Sequence, residues 1–89
     1  MAIFSAASVA PNAFPVSPSF ELPFEPKSIM VINEDTTPAN AVELSFDGVN
    51  VHGKLIPTVL QGQKFEQRTT KIWVRAVAGA PVVRIVAES

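Results

Sequence analysis

Few side chains in this sequence could do chemistry unaided. Histidine occurs once, at His52, and cysteine and tyrosine do not occur. A thiolate nucleophile, a disulfide and a Cys-based metal site are therefore excluded, and a His-based zinc centre would need more than His52. Of the eight carboxylates only Glu34 and Asp35 are adjacent, in a stretch (NEDTTPAN) that reads as a loop. General acid–base catalysis needs paired groups held in a pocket with shifted pKa values. A solvated turn does not provide that, and no nucleophile-elbow pattern is present. No enzyme activity, cofactor or metal is expected. Asp47 precedes Gly48 and is expected to serve the backbone of a turn. Lys71, Trp73 and Arg75 fall at alternate positions, so they share one strand face. One aromatic flanked by two cations can stack on a ring or anchor an interface.

These groups must be positioned by a small fold. The chain has 89 residues, a net charge of −1, 47% apolar and 17% charged side chains. The charge balance argues against a nucleic-acid partner, which favours a basic surplus. No apolar run reaches the roughly 20 residues of a membrane span. The opening MAIFSAASVA has no basic residue before its apolar run, unlike a secretion signal.

Composition divides the chain at residue 26. Five of the eight prolines and four of the six phenylalanines lie in residues 1–26, and no charge occurs before Glu21. Proline at this density forbids a long helix and favours extended backbone. Disordered segments are poor in large apolar groups, whereas this one carries Phe4, Phe14, Phe20 and Phe24. Residues 1–26 are therefore expected to form an extended arm that docks on a neighbouring chain, with these four phenylalanines as its adhesive.

Residues 27–89 read as short strands. Strands are expected at 27–33, 41–46, 49–55, 64–67, 71–77 and 82–87. The clearest is 41–46, where Val42, Leu44 and Phe46 alternate with Glu43 and Ser45. Asp47-Gly48 predicts a two-residue hairpin turn to a strand whose dry face is Val49, Val51, Gly53 and Leu55. The fold class expected is all-β, a small antiparallel sandwich or barrel with an extended Pro-rich N-terminal arm. A body of this size, without disulfide or metal, is expected to rely on oligomerisation, with a trimer favoured.

The runs ELSFDGVNVHGKLIP (43–57) and KIWVRAVAGAPVVRIVAES (71–89) resemble small virion proteins of tailed bacteriophages. The residues that carry the resemblance are Asn33-Glu34, Ser45 to Gly48, His52 to Lys54 and Ile72 to Arg75. It implies a non-enzymatic structural role, of capsid decoration or cement type, in a virion assembled in the bacterial cytoplasm. The implied partners are the major capsid protein or other virion proteins, without nucleic acid or membrane. Phe4, Phe14, Phe20, Phe24, His52, Trp73 and Arg75 are the expected partner contacts. A tail, neck or baseplate component is the alternative within that class. A carbohydrate-binding module using Trp73 and His52 is the alternative outside it.

Overall fold

A computed structural model describes residues 2–89, and among them there is no helix. The strands are β1 (Ile3–Val9), β2 (Phe20–Glu21), β3 (Ser28–Asn33), β4 (Val42–Ser45), β5 (Gly53–Leu55), β6 (Gly62–Phe65), β7 (Lys71–Ala76) and β8 (Val82–Glu88). They form two four-stranded antiparallel sheets, ordered β1-β8-β3-β6 and β2-β7-β4-β5. The expected all-β antiparallel sandwich is the observed fold. Every connection crosses to the other sheet except β4–β5, which joins direct neighbours, and this is the winding of an eight-stranded jelly roll.

Period-2 patterning builds the core. Ile29 and Val31 of β3 and Val83, Ile85 and Ala87 of β8 point inward from the first sheet. Val42 and Leu44 of β4, Leu55 of β5, and Ile72, Val74 and Ala76 of β7 meet them from the second. The space between the sheets is thus filled mainly by aliphatic side chains, with Phe20 among them.

The division at residue 26 is not observed in the packing. β1 pairs with β8 over its full length, from Ile3 opposite Glu88 to Val9 opposite Val82. Phe20 and Leu22 are buried in the common core, and Phe4 and Phe24 pack against it. The prolines have a separate use. β2 covers only the start of β7, pairing at Ile72 and Lys71. Beyond it the irregular segment 11–19 runs along the rest of that edge. The Val74 amide donates to Ser19 Oγ at 3.0 Å and the Ala76 amide to the Pro11 carbonyl at 2.6 Å. Proline cannot donate to a ladder, but its carbonyl can accept from one. The segment is extended, as its composition requires, yet within this chain it lies on its own sandwich.

The hairpin turn also differs from expectation. β4 and β5 pair with Val42 opposite Leu55 and Leu44 opposite Gly53. That register leaves residues 46–52 as a loop, with Val49 and Val51 exposed. Side-chain hydrogen bonds from Ser45 and Asp47 capture the local amides and displace the two-residue turn.

One turn carries visible strain. Pro57 and Thr58 are the central residues of a turn closed by Val59 N–H donating to the Ile56 carbonyl, and Thr58 has φ +66°. A type II turn requires positive φ at that position and selects glycine or asparagine. Thr58→Gly is therefore expected to raise stability by up to about 1 kcal/mol despite glycine's entropy cost. Chemical denaturation of the two proteins checks the sign.

Candidate functional site: the outer face and free edge of the first sheet

Each region that could act on another molecule follows from how the strands present their outer faces. The described side chains of the core cluster between the sheets are apolar. Among the described residues no group of three or more His, Asp or Glu is placed to hold a metal. An open cleft of about 380 Å³ lies between Lys27, Ser28, Lys64, Glu66, Glu88 and Ser89. Its lining mixes both charge signs.

The residues of the loop 46–52 are occupied with one another. Asp47 Oδ1 accepts the amides of Val49 and Asn50, each at 2.8 Å, and the Ser45 hydroxyl donates to it at 2.8 Å. The Asn50 side chain donates to Asp47 Oδ2 at 2.9 Å. The backbone amides of Asn50 and Val49, then the side chains of Asn50 and Ser45, hold the Asp47 carboxyl far below the ordinary carboxylate range. His52 stacks on Phe46 with ring centroids 5.5 Å apart. Its Nδ1 accepts the Phe46 amide at 3.0 Å, which places the imidazole proton on Nε2 in the neutral ring. Phe46 in turn meets the Phe65 ring edge-on at 5.4 Å. The loop folds over Trp73. A Cβ on Gly48, where φ is +80°, would stand 2.9 Å from Trp73 Cε2. Only glycine suits both the backbone and that close approach.

Arg75 lies in the row Lys54–Glu43–Arg75 across the second sheet. Its Nε donates to Glu43 Oε1 at 2.8 Å, and its guanidinium sits 4.4 Å from the centroid of Phe14. Ion pair and cation–π contact together hold segment 11–19 against the sheet.

The expected partner contacts are therefore placed as follows. Phe20 is in the core, and Phe4 and Phe24 are half-buried against it. Phe14 is covered by Arg75, Trp73 by Gly48, and His52 is stacked on Phe46. The structure does not bring the four phenylalanines together as an external adhesive. In sequence they look available, because an uncharged Pro-rich stretch gives no sign of which sheet will absorb it.

What the chain does present is the outer face of the first sheet. The strand registers set Ser5, Val86, Met30 and Lys64 in one row and Ala7, Arg84, Ile32 and Gly62 in the next. Val9 and Val82 form a third row, and Ile3 and Glu88 close the other end. Ile3 is 63% exposed, Val9 56%, Val82 38% and Met30 37%. The one charge in the middle, Arg84, is held by Glu34 at 3.1 Å. An apolar band thus crosses the face and reaches the free edge at β1. Sequence reading missed it because Met30, Ile32, Val82 and Val86 look like ordinary members of buried strands. Only the two-layer arrangement shows that no third layer covers them.

No family model matches the chain, and no curated protein matches it. Solved structures do share its fold. A cupin domain of an XRE-family transcriptional regulator from Enterobacter cloacae aligns with 98% of this chain and 79% of its own length, at 22% identity and a TM-score of 0.52. A protein of the disulfide-linked pili of Bacillus endospore appendages aligns over 99% and 85%, at 9% identity and a TM-score of 0.50. A de novo designed double-stranded β-helix aligns over the whole of both chains, at 16% identity and a TM-score of 0.47. At these identities the likeness to the first two is one of fold alone, that of an all-β chain with two antiparallel sheets.

Proposed function

We propose that the chain is a structural protein of a tailed-phage virion, of capsid decoration or cement type, that binds other protein subunits through the outer face of its first sheet. The observation that supports this reading is the outward-facing apolar band of Met30, Ile32, Val82 and Val86, in which Met30 and Val82 are exposed and Ile32 and Val86 half-buried. Exposed apolar patches on small proteins mark interaction surfaces. The sequence resemblance supplies the kind of assembly. The motif residues that carry it have loop-holding positions here: Asn33 anchors one loop, Ser45 and Asp47 another, and Gly48 fits against Trp73. Such residues suit a structural protein, since their effect is to fix shape.

The test is a mass-spectrometric copy count on purified particles, combined with Val82→Glu/Val86→Glu. Hundreds of copies per particle support a shell component, and six or twelve move the chain to the tail or neck. Absence from particles overturns the reading. The double variant is expected to stay folded, because both side chains point outward, and to lose particle binding by at least about tenfold. Binding retained by a folded variant removes the proposed face from the mechanism.

A further inference from the structure

The four sheet edges of this fold are not equivalent. β5 offers three residues with Lys54 among them, and β6 offers four with Lys64. The β2 edge is two residues long, and segment 11–19 continues it along β7. β1 offers seven residues, Ile3–Val9, with no charge and no proline. A long, uncharged, uncovered edge is a template for strand addition.

Its free hydrogen-bonding groups can be assigned. The Ala10 amide donates to the Pro81 carbonyl at 2.9 Å, and the Ser89 amide donates to the Ala2 carbonyl at 3.0 Å. In an antiparallel ladder the N–H and C=O of one residue point the same way, and successive residues alternate. Even-numbered residues of β1 therefore face β8. Ile3, Ser5, Ala7 and Val9 direct both backbone groups to the open edge, and their side chains lie on the outer face.

We propose that two copies of the chain join edge to edge through β1, antiparallel about a two-fold axis at Ala6. Ile3 then lies opposite Val9 of the second copy, and Ser5 opposite Ala7, and each such pair exchanges two hydrogen bonds. A two-fold contact sets an edge against itself, so an edge bearing a lysine brings like charges together. β1 is free of that conflict. Its ends also match, since exposed Ile3 and Val9 become cross-strand neighbours and the two small central residues meet without crowding. The first sheets of both copies merge into one continuous sheet, and their apolar outer bands lie side by side. This deepens the reading of the chain as an assembling structural protein, on which it rests. A ring of three about a three-fold axis contains no two-fold contact, so this pairing differs in kind from the trimer expected above.

The experiment is sedimentation equilibrium of the full chain. A mass twice the 9.5 kDa of one chain is expected. Ser5→Lys/Ala7→Lys sets lysine opposite lysine in this register and should weaken the dimer by at least about tenfold. Ser5→Glu/Ala7→Glu should do the same, and an equal mixture of the two variants should restore dimers that contain one of each. Hydrogen exchange of the wild type gives a readout that needs no variant. The Ile3, Ser5, Ala7 and Val9 amides should become protected as concentration rises, while even-numbered β1 amides stay protected throughout. A monomeric or trimeric wild type, or fast exchange of those four amides at every concentration, overturns the proposal. A monomer that is nonetheless found in particles would end the pairing and leave the virion role standing. A β1-paired dimer absent from particles would do the reverse.

Discussion

Deleting residues 1–26 is expected to abolish folding. Composition alone suggests the opposite result, a stable body that has lost its means of attachment. The structure sets the outcome through three losses. Phe20 and Leu22 leave the core, and transfer of two such side chains is worth about 1.5–3 kcal/mol each. Phe4 and Phe24 leave the rim of the core, exposing what they cover. The whole β1–β8 ladder disappears, and with it the hydrogen bonds that segment 11–19 supplies to β7. Domains have total stabilities of about 5–15 kcal/mol, with short chains near the lower end. The apolar term alone is comparable to that total. Circular dichroism and an amide NMR spectrum of residues 27–89 check this. A truncated chain with dispersed amide signals and a cooperative melt would show that the N-terminal quarter is an accessory.

The contrast shows where the sequence was legible. β4 and most of β7 could be read because large apolar residues alternate there with polar or charged ones. Val42 and Leu44 face in while Glu43 faces out, and Ile72, Val74 and Ala76 face in while Arg75 faces out. β1 alternates too, but Phe4, Ala6 and Ser8 against Ile3, Ser5, Ala7 and Val9 give no contrast in polarity. Neither face announces itself when both consist of small or apolar groups. The register of the β4–β5 pair was hidden for another reason. Asp-Gly favours a tight turn locally, but here Asp47 binds amides of Val49 and Asn50 and widens the loop. The loop also packs Gly48 against Trp73, which is distant in sequence.

The candidate interaction surface was illegible for a topological reason. Met30 and Val86 become neighbours only when β8 inserts between β1 and β3. The same insertion leaves β1 at the edge. Thus one feature of the winding produces both the apolar band and the open ladder that borders it. A covering third layer or a charge on β1 would close both, and among the described residues neither is present.

The second large effect is expected at Asn33, a fully buried polar side chain at the end of β3. Its amide nitrogen donates to the Asn40 carbonyl at 3.0 Å and to the Leu55 carbonyl at 3.3 Å. Its oxygen accepts the Asp35 amide at 3.0 Å. One side chain thereby ties the first sheet to β5 of the second and fixes the start of the 34–41 loop. Asp35 extends the hub, accepting from the Thr37 amide at 2.8 Å and from the Asn40 side chain at 3.2 Å. Asn33→Asp keeps the shape but sets a carboxylate against two carbonyl oxygens. An uncompensated buried charge costs about 3–5 kcal/mol, enough to unfold much of a small domain near neutral pH. The pH dependence should then invert. In the wild type, hydrogen bonds led by the Thr37 amide at Asp35 and the Asn50 amide at Asp47 hold both carboxyls below their ordinary value of 3.8. Their contribution is present above that value and is lost as pH falls below it. In the variant, burial raises the new carboxyl's pKa, so acid restores one donor and stability rises as pH falls from 7 toward 5. Asn33→Ala strands the Leu55 carbonyl without adding charge, at a cost of about 1–3 kcal/mol and with no such inversion. Thermal melts of the three proteins at pH 7 and pH 5 separate these outcomes. An Asn33→Asp protein that melts with the wild type at pH 7 would mean that this hub does not hold the two sheets together.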